Sequence, residues 1–367
     1  MHATTIEGHS QPHRLARPVR LLRDPVDRSA LYEADGHLVS ARGGRRYRIL
    51  SRPERIYDLF ASADATSSSS RSAAPWDPRR FDAHYEEVGY YEDGETYEAQ
   101  QGLDAALIEF HHSRVKDVLL EWVTPGPNHA VMDVGCGAGW FLERVVERYL
   151  GAGYSPHAVG LEASCMQASF TARRFARRAT PSTVVLGNAE RLPFADETFD
   201  LVTCSETLEQ VETPIRALQE MARVLKPGGR LLLSAPSRLS EVMWDSVLGP
   251  ATYVAKRLRR RGPSSPFSEY YAALYPEELE SQVRAAGLQI HAFVQSGLIP
   301  HNHYFLQLPQ PVVGPLVRAF DWLDRRYCQR APQLAAHILI WAEKLACTSG
   351  RAADRRTSRR TDAGPLA

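Results

Sequence analysis

Short apolar runs alternate with amphipathic stretches through most of the chain. Ala130 to Val134 is an apolar run with one acidic residue, Asp133, near its end, which is the pattern of a buried strand. Phe141, Val145, Val146 and Tyr149 then recur at helical spacing among charged residues. The same pairing repeats downstream. Strands are expected at His157–Leu161, Thr183–Leu186, Phe199–Ser205, Arg230–Pro236, Leu288–Val294 and Ala335–Ala342. Helices are expected at Ser164–Arg178, at Pro214–Val224 and from Tyr275 to Gly287. Upstream, Ile108, Val115, Val118, Leu119 and Trp122 line one face of a helix over Leu107–Trp122, which Thr124-Pro125-Gly126-Pro127 ends. Strand–helix alternation of this kind predicts an α/β fold with a doubly wound, mostly parallel sheet.

Flanking segments read differently. Residues 1–19 are polar and read as a disordered tail, and so do the Arg-, Ser- and Thr-rich residues 348–367. Residues 20–60 predict a small β module, with strand candidates at Leu31–Tyr32, His37–Val39 and Tyr47–Leu50. Residues 61–80 contain Ser67-Ser68-Ser69-Ser70 and read as a flexible linker. The main domain is expected over 81–347, with cap insertions near 237–268 and 297–333.

Composition narrows the picture. The 367 residues carry a net charge of +1 and 24% charged side chains, so nothing global points to nucleic acid. The five cysteines, Cys136, Cys165, Cys204, Cys328 and Cys347, are scattered and form no C-x-x-C pair. They predict neither a disulfide framework nor a zinc cluster, and they point to a reducing, cytoplasmic setting. No apolar run is long enough to span a membrane, and Met1 to Arg20 has no apolar core of a secretory signal. An apolar stretch from Val242 to Val254 precedes the basic run Lys256–Arg261. It is read as a substrate cap with a solvated end, with peripheral membrane contact as the alternative.

Candidate chemistry concentrates after the first strand of the main domain, at Gly135-Cys136-Gly137-Ala138-Gly139. Glycines allow a sharp turn and a close approach of ligand to backbone, and the following helix turns unpaired N–H groups toward the same corner. The G-x-G-x-G spacing differs from the dinucleotide fingerprint G-x-G-x-x-G, and the Gly-Lys-Ser/Thr ending of a phosphate-binding P-loop is missing. The glycines alone leave two readings open, a ligand-binding corner and a bare tight turn.

Asp133-Val134-Gly135-Cys136-Gly137-Ala138-Gly139, together with Leu225-Lys226-Pro227-Gly228-Gly229 before an apolar strand, resembles the class I S-adenosylmethionine-dependent methyltransferases. The resemblance implies a Rossmann-like, seven-stranded sheet whose last strand is antiparallel. Residues 20–60 are similar to a zinc-ribbon-like module that precedes such domains. Here its cysteines are absent, so no metal is expected. The resemblance implies S-adenosyl-L-methionine as cofactor. Asp133, Gly135, Cys136, Gly137 and Gly139 would form its cradle, and Glu162 with Ala163 would hold the ribose. Asn188, Ala189 and Glu190 would hold the adenine. Ser205 would lie beside these, and Arg114 would pair with the methionine carboxylate.

Gln210 stands where many relatives have a histidine, and glutamine is no general base at neutral pH. Glu206, His111 and His112 are therefore the catalytic candidates. Tyr90, Tyr91, Gln210, His301 and His303 are the acceptor-binding candidates. The resemblance implies O-, N- or C-methylation of a small molecule, lipid or glycoside. An RNA methyltransferase and a non-catalytic scaffold that binds the cofactor are the alternatives, with nucleic acid disfavoured by the charge balance.

Overall fold

The computed structural model describes residues 19–50, 55–60, 82, 115–177, 182–247, 273–299, 308 and 310–346. Both tails and the linker lie outside these residues. So do His111, His112, Arg114, Tyr90, Tyr91, His301, His303 and the basic run 256–261.

The strands are β1 (Leu31–Ala34), β2 (His37–Ser40), β3 (Arg46–Leu50), β4 (Ile56–Asp58), β5 (Ala130–Val134), β6 (His157–Glu162), β7 (Ser182–Leu186), β8 (Phe199–Ser205), β9 (Leu225–Pro236), β10 (Leu288–Ser296) and β11 (His337–Lys344). Helices α1 (Trp140–Gly151), α2 (Cys165–Arg177), α3 (Pro214–Val224), α4 (Pro276–Ala285) and α5 (Gln310–Tyr327) alternate with them. Residues 115–121 and 238–247 are also helical.

All eleven strands belong to one sheet, ordered β1-β2-β3-β4-β7-β6-β5-β8-β9-β11-β10. The expected count of seven is therefore too low. β11 runs antiparallel to both β9 and β10, while β7, β6, β5, β8 and β9 are parallel. Parallel strands with helices on both faces are buried on both sides, and Val131 to Val134 and Ala158 to Glu162 are buried throughout.

Side-chain alternation along the strands gives two cores, one on each face. Val131, Leu201, Leu232 and Leu339 pack with Val115 and Leu119 and with the apolar face of α1, made by Phe141, Leu142, Val145 and Tyr149. Met132, Val134, Val202, Leu231, Leu233 and Ile340 face the other way, against Leu218 and Met221 of α3 and Leu279 and Val283 of α4.

The four N-terminal strands extend the sheet instead of forming a separate body. The link is β4, which the sequence reading missed because it is only three residues long. Ile56, Tyr57 and Asp58 are all buried and pair in parallel with Val184, Val185 and Leu186 of β7. β1 to β4 form an antiparallel meander beyond it. Leu22, Leu31, Leu38, Tyr47 and Leu59 share a core with Leu161, Val185, Phe194 and Leu192 of the main sheet. Buried Asp24 closes the meander by accepting from Arg45 Nε (2.9 Å) and from the Val26 and Asp27 N–H groups (2.7 and 3.2 Å). Nothing in this arrangement supports the resemblance to a zinc ribbon.

The two segments expected as cap insertions contain helices. Residues 238–247 follow β9, and α5 fills much of the stretch between β10 and β11. Among the described residues no helix is long and apolar enough to cross a membrane.

Because the meander shares its core with the main sheet, Leu38→Ala is expected to lower the unfolding free energy of the whole protein by about 2–4 kcal/mol. Urea unfolding should show a single shifted transition. A separate early transition would mean that the meander is an independent unit.

Candidate functional site

The C-terminal ends of the parallel strands form one rim of the sheet, the position at which ligands bind in open α/β folds. At this rim Gly135, Gly137 and Gly139 have φ of 71°, 53° and 83°. Residues with a β-carbon rarely adopt this left-handed region. The turn is fastened from behind. Gly135 and Cys136 N–H both donate to Leu161 O (2.8 and 3.1 Å), and Gly139 N–H donates to Cys136 O (2.9 Å). Thr171 Oγ1 of α2 donates to Gly137 O (2.6 Å), and Thr207 Oγ1 donates to Gly135 O (3.5 Å). A β-carbon at Gly135 would overlap Thr207, and one at Gly139 would lie 3.0 Å from Thr171. At Gly137 the nearest atom would be Gln167 Oε1 at 3.9 Å, so this middle glycine is the open one. Cys136 is buried beside Thr171, and burial pushes its thiol up. It packs and is no nucleophile.

Glu162, at the end of β6, is nearly buried. Its Oε2 accepts from Gly137 N–H (2.8 Å), and its Oε1 accepts from Ala163 and Ser164 N–H (2.8 and 3.0 Å). Burial raises its carboxyl above the ordinary range while these three bonds oppose the rise. Ser164 caps α2 by accepting from Gln167 N–H (3.1 Å). Asp82 reinforces that cap: it accepts from Ser164 Oγ (2.6 Å) and from Met166 N–H (3.2 Å).

Asp133 is buried one strand away and accepts from Thr203 Oγ1 of β8 (2.7 Å). Burial pushes its carboxyl up to about 7, with the Thr203 hydrogen bond acting against the rise. Asn188 Oδ1 accepts from Glu190 N–H (2.8 Å), which caps a short turn over Ala189–Arg191. Glu190 Oε1 accepts from Thr213 N–H (3.0 Å), just before α3. Its carboxylate thus braces a helix start. Ser205 Oγ lies 3.0 Å from Ser234 Oγ of β9.

Beyond Ser205 the chain passes close to the glycine turn and carries the candidates Glu206 and Gln210, together with Glu209, which the sequence reading did not single out. Glu206 has φ 53° and its N–H donates to Ser234 O (3.0 Å). Its Oε2 lies 3.2 Å from Nδ1 of His337, a nearly buried residue at the start of β11. Glu209 is buried in the turn Leu208–Gln210. Burial, and then the Glu206 charge, push its carboxyl well above the ordinary range. Gln210 is half-buried at the end of the same turn. Among the described residues no group of three His, Cys, Asp or Glu side chains is arranged to hold a metal ion.

The glycine turn, Glu162, Asn188, Glu206 and Glu209 fall inside one segment that has recognisable relatives. Residues 132–233 match the methyltransferase domain family. A ubiquinone/menaquinone biosynthesis C-methyltransferase of Ruegeria sp. (strain TM1040) is 35% identical over 128 residues, which are 35% of this chain and 50% of that protein. An uncharacterized methyltransferase of Mycobacterium tuberculosis is 34% identical over 131 residues, 35% of this chain and 49% of that protein. The chain thus spans about half the length of the curated relatives it matches. Among solved structures, a geranyl diphosphate C-methyltransferase from Streptomyces coelicolor A3(2) covers 69% of this chain and 87% of its own, with 18% identity and a TM-score of 0.45.

The raised carboxyl of Asp133 has a stability consequence. Below its ordinary value of 3.8, both folded and unfolded chains hold the proton. Between there and about 7 the unfolded chain releases it and the folded chain keeps it, so stability falls as pH rises. Asp133→Asn removes this penalty. The variant should gain midpoint temperature over the parent as pH rises from 4 to 8, with no such gain between pH 3 and 4. Thermal melts across that range check it.

Proposed function

We propose that the protein is an S-adenosylmethionine-dependent methyltransferase and that its cofactor binds at the Gly135–Gly139 turn. One observation carries the reading: an open left-handed glycine and a strand-end carboxylate meet at the C-terminal rim, within the segment that matches methyltransferases.

The residues fit such a group. A β-carbon at Gly137 would stand in the open approach to the turn. A carboxylate oxygen has two acceptor positions. Glu162 uses both on Oε1 and one on Oε2. One position remains, which suits a single ribose hydroxyl. Two hydroxyls would require Glu162 to release Gly137. Asn188 Oδ1 likewise keeps one acceptor position beyond its bond to Glu190 N–H, enough for one adenine amino hydrogen. Asp133, Cys136, Ala163, Ala189 and Ser205 are assigned to shaping and bracing this cleft. Glu190 is assigned to holding the Ala189–Arg191 turn on α3. Arg114 stays a proposal for the methionine carboxylate.

When bound, S-adenosylmethionine supplies an electrophilic methyl group, so the chain's task is to align an acceptor and exclude water. We assign the acceptor to the class of small or amphipathic molecules. The aromatic stretch 297–333 and the near-neutral charge support this, as do relatives that act in quinone biosynthesis. The scattered cysteines support a reducing, cytoplasmic location.

Calorimetric titration with S-adenosylhomocysteine tests the cofactor site, with NAD as the control. Binding of the first and not the second is expected. Glu162→Gln puts an amide donor against backbone donors and should weaken S-adenosylhomocysteine binding by about 10- to 100-fold. No binding by the parent protein overturns the assignment.

A further inference from the structure

Gln167, Thr171 and Arg174 lie at helical spacing on one face of α2, the face turned to the glycine turn. Two of them are spent on its carbonyls. Thr171 Oγ1 donates to Gly137 O (2.6 Å), and Arg174 Nε donates to Ala138 O (2.9 Å). Gln167 differs. Its backbone N–H donates to the Ser164 cap, but its amide Nε2 is buried and has no hydrogen-bond partner among the described residues. The whole residue is 2% exposed. A buried donor that bonds nothing costs stability, and in a folded protein such a group calls for a reason.

The place of the amide supplies one. Gln167 Oε1 is the atom nearest to where a β-carbon would stand at Gly137, 3.9 Å away. Gly137 is the open glycine of the turn, and its N–H is the one that Glu162 Oε2 holds at 2.8 Å. The carboxylate and the amide thus flank the same residue. Glu162 keeps one acceptor position, whereas a ribose presents two neighbouring hydroxyls. The terminal torsion of a glutamine is broad, so a half-turn exchanges its two ends. A hydroxyl donates and accepts, so it can meet either end. The neutrality of the amide also matters. A second carboxylate here would push Glu162 further up, beyond the rise that burial already causes. An amide holds a hydroxyl without that cost.

We propose that Gln167 binds one ribose hydroxyl of the cofactor while Glu162 binds its neighbour, so that two separate side chains read the vicinal diol. This rests on the methyltransferase reading above. Gln167 is then a specificity-determining residue. A ligand that lacks its hydroxyl leaves the buried amide unpaired and is rejected for that reason.

Calorimetric titration with S-adenosylhomocysteine and its two deoxy analogues, each lacking one ribose hydroxyl, tests this. The wild type should bind both analogues more weakly than S-adenosylhomocysteine, each by about 3-fold or more. Gln167→Leu should bind S-adenosylhomocysteine about 3- to 10-fold more weakly than the wild type does. One analogue should bind the variant and the wild type equally, because the hydroxyl that Gln167 holds is already missing. The other should lose as much as S-adenosylhomocysteine does. An unchanged affinity of Gln167→Leu for S-adenosylhomocysteine overturns the proposal, and so does an equal loss for all three ligands. Gln167→Met, unbranched and similar in length, takes the place of the leucine variant if that does not fold. A wild type that discriminates against only one analogue overturns the proposal without any variant. No binding of S-adenosylhomocysteine by the wild type overturns the methyltransferase reading and this inference with it, whereas the other negative outcomes leave that reading standing.

Discussion

One carboxylate ties the rim of the sheet together. Glu162 accepts from Gly137 in the turn after β5 and from Ala163 and Ser164 in the turn after β6. Two strand–helix turns that are separate in sequence are thereby joined at a single buried group. Charge-assisted hydrogen bonds of this kind are about twice as strong as neutral ones, and they offset part of the cost of burying the charge. The left-handed glycines depend on this anchor, because the turn that needs them is fixed at Gly137 by Glu162 and at Gly135 by Leu161 O. Asp82 extends the same fastening to the start of α2 through Ser164.

The sheet solves a second problem at its β7 edge. An exposed edge strand presents unpaired backbone groups to solvent and to other chains. Here β4 covers β7 and the meander carries the sheet outward to β1. Its apolar side chains do not form a core of their own. They complete one that Leu161, Val185 and Phe194 begin. A module of about forty residues with no cysteine thereby borrows burial that a domain of this size cannot supply alone.

The main strands were legible because a strand buried on both faces is a continuous apolar run, and α1 to α4 because their apolar residues recur at helical spacing. The glycine turn and Glu162 were legible because strand ends and glycines mark the corner. β4 was hidden because three residues carry no period. The helix α5 was hidden behind Pro315 and a run of aromatics. The braces Thr171, Thr207 and Asp82 left no signal, because each acts on a residue distant in sequence. His337 was hidden for the same reason: only the antiparallel course of β11 brings it to the end of β8. Glu190 shows the converse. Its place in the loop pointed to the adenine, but its carboxylate reaches Thr213, at the start of α3.

Asp133, Glu162 and Glu209 share a property that a neutral ligand would not explain. Burial raises all three carboxyls, and all three lie along one rim with Glu206 among them. Each raised value means that the folded protein holds this negative charge at a cost. A cation arriving at the rim lowers that cost, and by linkage its binding must release protons wherever a carboxyl is still partly protonated. A sulfonium is such a cation, and its neutral thioether product is not. On the proposed reading the rim therefore favours the methyl donor over the spent product through charge alone, and this preference should rise with pH as the Asp133 carboxyl loses its proton.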